Sequence, residues 1–214
     1  MKKLFIPFII LATFQTVAQP LQQRIVYNDP AKYRMLSAVH AGAGEMGFTQ
    51  LIGRTELSTN FLYLHVGTIK AKSGIGHHFH HGIEEMYVLL NGEAQFTING
   101  RTSKIKAPAV VPCKAGDAHA IYNASNEPLH WLNFAVSQQK GKSDAFDLGD
   151  SRVGASLDPV PVFVSGKLEK QQHNNTNMPP GFKPSMSRRV FGPDIFSTNW
   201  HHVDHIIIPA DSSV

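Results

Sequence analysis

The chain has 214 residues, of which 17% are charged, and a formal net charge of +4. That length can bury a real core, as one large domain or two small ones. Removing Lys2 and Lys3 with the leader described below leaves +2, with no Lys/Arg cluster behind it, which argues against a nucleic-acid partner. Sparse charge, 17 Gly and 13 Pro lean towards a β-rich fold with many turns. Cys113 is the single cysteine, so no intrachain disulfide can form, and it reads as a small apolar residue in a strand or turn.

Residues 1–18 read as a secretory signal. Met1, Lys2 and Lys3 form a positive start, 4–14 an apolar core, and Thr16, Val17 and Ala18 a small-residue exit. The expected location is therefore periplasmic or secreted, with Gln19 at the mature N-terminus. The apolar core is too short for a span that needs ~20 residues, and no cysteine follows to carry a lipid, so no stable membrane anchor is expected. Residues 19–47 read as an N-terminal extension. Pro30 opens a stretch able to form a short helical turn, and Ala41, Gly42, Ala43 and Gly44 form a loop. No strand precedes that loop and no Gly-Lys-Ser/Thr follows it, which excludes a phosphate cradle.

From 48 to 140 strand signals come at short spacing. They cover 61–69, 86–90, 94–98, 104–111, 118–122 and 129–136. Asn91-Gly92 and Asn99-Gly100 are both hairpin signals. No long helical period intervenes, so the fold class is all-β, an antiparallel sandwich or barrel. Residues 141–186 read as a linker, with a short strand at 160–164 and a loop at 171–184.

A repeat closes the chain. Ser58-Thr59-Asn60-Phe61 returns as Ser197-Thr198-Asn199-Trp200, a shift of 139 that also pairs Gly53 with Gly192 and Ile69 with Ile208. Residues 187–214 thus read as the opening strands of an incomplete second module. Its histidine cluster would fall past Val214. Truncation, closure of the first barrel by these strands and exchange with a partner all remain open.

Chemistry concentrates between Gly74 and Gly92, where four histidines and two glutamates occupy nine residues. Along a strand, His78 and His80 share a face. Glu85 begins the next strand, with Tyr87 and Leu89 on its side, and a hairpin of this kind can aim two imidazoles and one carboxylate at one point. Such N and O donors suit Fe, Mn, Ni, Co, Cu or Zn better than Ca or Mg. His119, after Gly116-Asp117, offers a further ligand. His77 and His81 fall on the other parity, Glu84 reads as a surface charge, and Asn123 as a turn residue. Tyr87 should face inward, and Trp131 and Asn133 share a face. They either contact a small polar or aromatic substrate or fill the barrel.

These residues resemble the cupins. His78-Phe79-His80, Glu85 and Gly92 match the first cupin motif at its spacing, and Gly116, His119 and Asn123 match the second. Lys72, Pro108 and Lys114 depart from it at turn positions. The resemblance covers roughly 58–137. It implies a double-stranded β-helix, or jelly-roll barrel, with a divalent transition metal held by His78, His80, Glu85 and His119, and a bicupin cut short in its second barrel. It further implies a metal-dependent small-molecule enzyme of dioxygenase, isomerase or lyase type, with catalytic residues unassigned. The alternatives are a non-catalytic sugar- or metal-binding barrel and an inactive bicupin fragment. Such barrels often pair, so a homodimer is expected.

Overall fold

A computed structural model describes residues 25–170 and 186–208. The signal at 1–18 and the loop expected at 171–184 lie outside the described residues. Regular structure among the described residues is strand, with short 3-10 turns at Pro30–Lys32, Val39–Ala41 and Pro193–Ile195. The first five strands are β1 (Arg34–Ser37), β2 (Glu45–Ile52), β3 (Phe61–Ile69), β4 (Ser73–Phe79) and β5 (Ile83–Leu89). The next five are β6 (Glu93–Ile98), β7 (Arg101–Lys106), β8 (Ala109–Cys113), β9 (His119–Asn123) and β10 (Leu129–Ser137). Then come β11 (Phe146–Asp150), β12 (Leu157–Asp158), β13 (Gly166–Lys167), β14 (Met186–Phe191) and β15 (Val203–Ile207).

Two sheets face each other as a jelly-roll barrel. One runs β1-β2-β3-β10-β5-β8-β13 and the other β11-β4-β9-β6-β7-β12. The period of two along β10 shows why they stack: Leu129, Trp131, Asn133 and Ala135 are buried, while His130 is exposed and Leu132 and Phe134 are half-buried. The core lies between the sheets. Ile69, Tyr87, Leu89, Val111 and Trp131 meet Phe96, Ile105 and Ile121 across it.

The strands and their connections correct three expectations. Asn99-Gly100 does close a hairpin, with Ile98 opposite Arg101 and φ of 49° and 80° at the two turn residues. Asn91-Gly92 does not. β5 pairs with β8 and β10 while β6 pairs with β7 and β9, so this turn carries the chain from one sheet to the other. The Asn91 side chain explains the difference, because it is tied to the loop before β10: its Nδ2 donates to Pro128 O and its Oδ1 accepts from His130 N. The run expected at 104–111 is likewise two strands, parted at Ala107-Pro108, where proline offers no ladder donor. No strand forms at 160–164. Val160 and Val162 are exposed there, and short pairings form instead at β12 and β13.

Within the expected extension, residues 34–47 join the barrel. β1 pairs with β2, and the 39–41 turn lies flat on β4. Glycine permits that approach: a Cβ on Gly76 would stand 2.0 Å from His40 O and 2.6 Å from Gly42 N. Gly76→Ala is expected to cost about 1–3 kcal/mol in urea unfolding, because two backbones must separate.

The repeat is visible in three dimensions. Under the shift of 139, the pairing Gly47↔Thr68 becomes Met186↔Ile207, and Ile52↔Leu64 becomes Phe191↔Val203. The irregularity after Gln50 returns after Arg189. β3 continues on to β10, whereas β14 and β15 form a sheet of their own. That hairpin covers the outer face of the seven-stranded sheet, where Val190, Phe191, Trp200 and Val203 cluster with Met86, Val88, Val110 and Phe134.

Glu84 is fully buried, contrary to its expected place on the surface. It points outward from the barrel, as parity requires, but into the docked segment. Its carboxylate accepts from Ser197 N at 3.0 Å, Thr198 N at 2.8 Å and Thr198 Oγ1 at 2.7 Å.

Candidate metal centre

His78, His80, Glu85 and His119 bring one ligand atom each within 4.8 Å of one another, and all four are buried. The expected hairpin does not bring them together. β4 and β5 belong to opposite sheets, so the turn at 80–82 crosses the barrel. His78 and His119 lie directly opposite on β4 and β9 of one sheet. Glu85 reaches in from the other, between Cys113 and Ala135 on its neighbouring strands.

The imidazoles are oriented from behind. His78 Nδ1 donates to Gly76 O at 2.8 Å, His119 Nδ1 to Asp117 O at 3.1 Å, and His80 Nδ1 to Asp144 O. A carbonyl can only accept, so each Nδ1 carries a proton and each Nε2 is left as the ligating nitrogen. The Nε2 of His80 is buried with no hydrogen-bond partner. His119 Nε2 stands 2.8 Å from Glu85 Oε2, and His80 Nε2 stands 3.6 Å from it. Three neutral-nitrogen donors and one carboxylate around a common point fit a divalent transition metal.

Glu85 is itself held. Tyr63 donates to Oε1, and Tyr87 donates to Oε2 at 3.1 Å. Burial works to raise its pKa, but the bond to His119 and the nearby His80 imidazole outweigh that and keep it well below the usual carboxylate range. Burial, with Glu85 nearby, pushes both tyrosines well above theirs. Burial, then the neighbouring His119, brings His78 down to about 2, and burial brings His65 to about 4. His80 goes up: burial opposes it, but Glu85 prevails.

The signs give a pH prediction for the metal-free chain. His78 and His65 stay neutral when folded, while unfolded imidazoles take up protons below 6.5. Their stabilisation is complete above 6.5 and is lost as pH falls towards 4 and then 2. His80 runs the other way, its contribution present below 6.5 and lost as pH rises through its folded value. His77 is also lowered, chiefly by burial, so with three groups against one the melting temperature should fall between about pH 7 and pH 5. A flat profile in a calorimetric pH series would contradict this.

A cavity of about 230 Å³ is lined by three of the four, His78, His80 and Glu85. Tyr87, Trp131 and Asn133, the expected contact residues, all line it. His77 is half-buried outside this group and His81 is exposed. Asn123 instead braces the turn before β10, its Nδ2 donating to Ile69 O, Lys70 O and Glu127 O.

Sequence reasoning missed four neighbours. Tyr63 and His65 also line the cavity, stacked on each other at 4.0 Å. Their signal was present, as two polar aromatics at alternate positions of an apolar strand. His40 comes from the 39–41 turn, stacks on His78 at 3.8 Å and meets Asp147 Oδ1. Asp144 clamps the crossing turn: its carboxylate accepts from His81 N at 2.7 Å while its carbonyl holds His80. Neither residue has a local signal. Asp144→Ala keeps the carbonyl but removes the carboxylate clamp on the turn that carries His80, and is expected to weaken metal binding roughly 10-fold, read by competition with a chelator.

Comparison with known proteins adds the following. A cupin-domain family model matches residues 65–135. The oxalate-binding protein of Thermotoga maritima is 30% identical over 97 residues, which is 45% of this chain and 80% of that one. A solved structure described as a predicted oxalate decarboxylase, also from Thermotoga maritima, aligns at 25% identity and a TM-score of 0.49, over 52% of this chain and 99% of that one. The polyketide cyclase RemF from Streptomyces resistomycificus aligns at 16% identity and a TM-score of 0.45, over 58% and 85%.

Proposed function

We propose that this chain, which belongs to the cupin superfamily, binds a divalent transition metal through His78, His80, Glu85 and His119 and acts there on a small molecule. The observation that carries the reading is the uniform orientation of three buried imidazoles. Each spends its Nδ1–H on a backbone carbonyl and leaves Nε2 for a cation. A metal in this position supplies Lewis-acid polarisation of a bound oxygen.

The chain's own residues do the rest. Tyr63 and Tyr87 fix the Glu85 carboxylate, and Asp144 fixes His80. Val39, Met46, Phe48 and Ile75 give the cavity an apolar wall. Four protein ligands leave open positions on a metal of higher coordination number, which an enzyme of dioxygenase, isomerase or lyase type would use.

Elemental analysis tests the metal directly. Wild-type protein, stripped and reloaded, should hold about one ion per chain, and His78→Ala should hold far less. Equal retention in both would sink the proposed ligand set. A second reading, binding without turnover, draws on the Thermotoga relative, which is an oxalate-binding protein. A product screen on loaded protein across oxygen uptake, isomerisation and decarboxylation separates the two, since silence in all of them favours binding.

The signal pattern at 1–18 supports export, and an N-terminus at Gln19 in secreted or periplasmic material is the check. The homodimer is likewise part of this reading. A monomeric mass in solution would count against it.

A further inference from the structure

Two polar atoms beside the metal ligands lack partners. Trp131 is 2% exposed and Asn133 3%, yet neither the indole Nε1 nor the amide Oδ1 has a hydrogen bond. The amide's orientation follows from its neighbour. Its Nδ2 lies 3.4 Å from Glu85 Oε1, and a carboxylate accepts, so the oxygen is the atom left over. Folded interiors rarely leave such groups unpaired. Both side chains line the same cavity, so a ligand that fills it can complete one donor and one acceptor.

Charge narrows the ligand further. Among the described residues no Lys or Arg lines the cavity, and Glu85 is its one carboxylate. His65, held to about 4 by burial, brings no charge at neutral pH, and His40 is faced by Asp147. A divalent ion on Glu85 therefore leaves the centre at +1. One negative charge balances it, whereas two would leave a buried charge unpaired. The remaining wall is apolar, made by Leu36, Val39, Met46, Phe48 and Ile75. Its 230 Å³ equals about eight waters at ~30 Å³ each, which suits a compact molecule.

Resting on the metal-centre reading above, we propose that the ligand is an α-hydroxy carboxylate with a short apolar substituent. Its carboxylate accepts from Trp131 Nε1–H, its hydroxyl donates to Asn133 Oδ1, and its substituent lies against the apolar wall. Oxalate fits worse on three counts: it carries two charges, has no donor for Asn133, and has nothing apolar to bury.

Isothermal titration of the metal-loaded full chain tests this with 2-hydroxyisovalerate, glycolate and oxalate, alongside Trp131→Phe and Asn133→Leu, with metal content measured throughout. 2-Hydroxyisovalerate should bind at least roughly tenfold tighter than oxalate and tighter than glycolate. Each substitution should weaken it roughly tenfold at unchanged metal content. Trp131→Phe, which keeps the ring and removes only the N–H, decides the matter if Asn133→Leu loses metal. Oxalate binding as tightly as the hydroxy acid, or Trp131→Phe binding as wild type, overturns the proposal while the metal centre stands. Wild-type protein that retains no metal overturns the metal-centre reading, and the proposal with it.

Discussion

Metal loading is expected to raise the melting temperature of the wild-type chain by about 8–16 °C, and His119→Ala to abolish that shift. A ligand that binds only the folded state at about a thousandfold over its Kd adds roughly 4 kcal/mol. For a domain of this size each kcal/mol moves the midpoint by about 2–4 °C. Three of the donors stand on three strands of two facing sheets and His80 on the turn between two of them, so an unfolded chain cannot present them together. His119 is the sharpest place to break the site. It is 2% exposed and starts β9, and its Nε2 stands 2.8 Å from Glu85. Its loss should also destabilise the metal-free protein, since Glu85 loses a partner, so the readout is the difference with and without metal. His77→Ala, on the opposite parity one position from His78, should keep the shift in full. A His119→Ala shift equal to wild type would place the metal elsewhere.

What the sequence disclosed follows from which physics is local. Strand parity is local, so the inward set His78, His80, Glu85 and Tyr87 could be read directly, as could Trp131 and Asn133. Pairing is not. An Asn-Gly turn serves a hairpin at 99–100 and a crossing between sheets at 91–92. The difference lies in whether Asn91 is tied to Pro128 and His130, which no local pattern records. The same blindness hid His40 and Asp144, which reach the site from residues read as extension and linker. Lys72 falls between these cases. It stands where the cupin motif has glycine, and its φ of 55° is a backbone conformation that glycine adopts without cost. The motif's requirement is thus kept by the backbone while its residue is not.

Parity also misled once, at Glu84, and the error leads to the second large prediction. Pointing away from the core ordinarily means pointing to water. Here the outward face is covered by the β14–β15 hairpin, and the Ser197-Thr198 turn delivers three donors to one carboxylate. The repeated Ser-Thr-Asn therefore has a structural use in its second occurrence, as a clasp. Glu84→Ala should cost about 2–4 kcal/mol, because two backbone N–H groups lose a charged acceptor and no water replaces it while the hairpin stays docked. The cheaper response is undocking, which exposes Met86, Val110 and Phe134. Limited proteolysis should then cut within 186–208 of the variant while the barrel resists. Thr198→Val, which removes only the hydroxyl bond, should cost about 1 kcal/mol and leave the hairpin in place. Metal content should not change in either. Two adjacent glutamates would then have separable consequences: Glu85 governs the ion between the sheets, and Glu84 governs the hairpin outside them. A Glu84→Ala protein with its hairpin still protected would mean that the apolar contacts alone hold it.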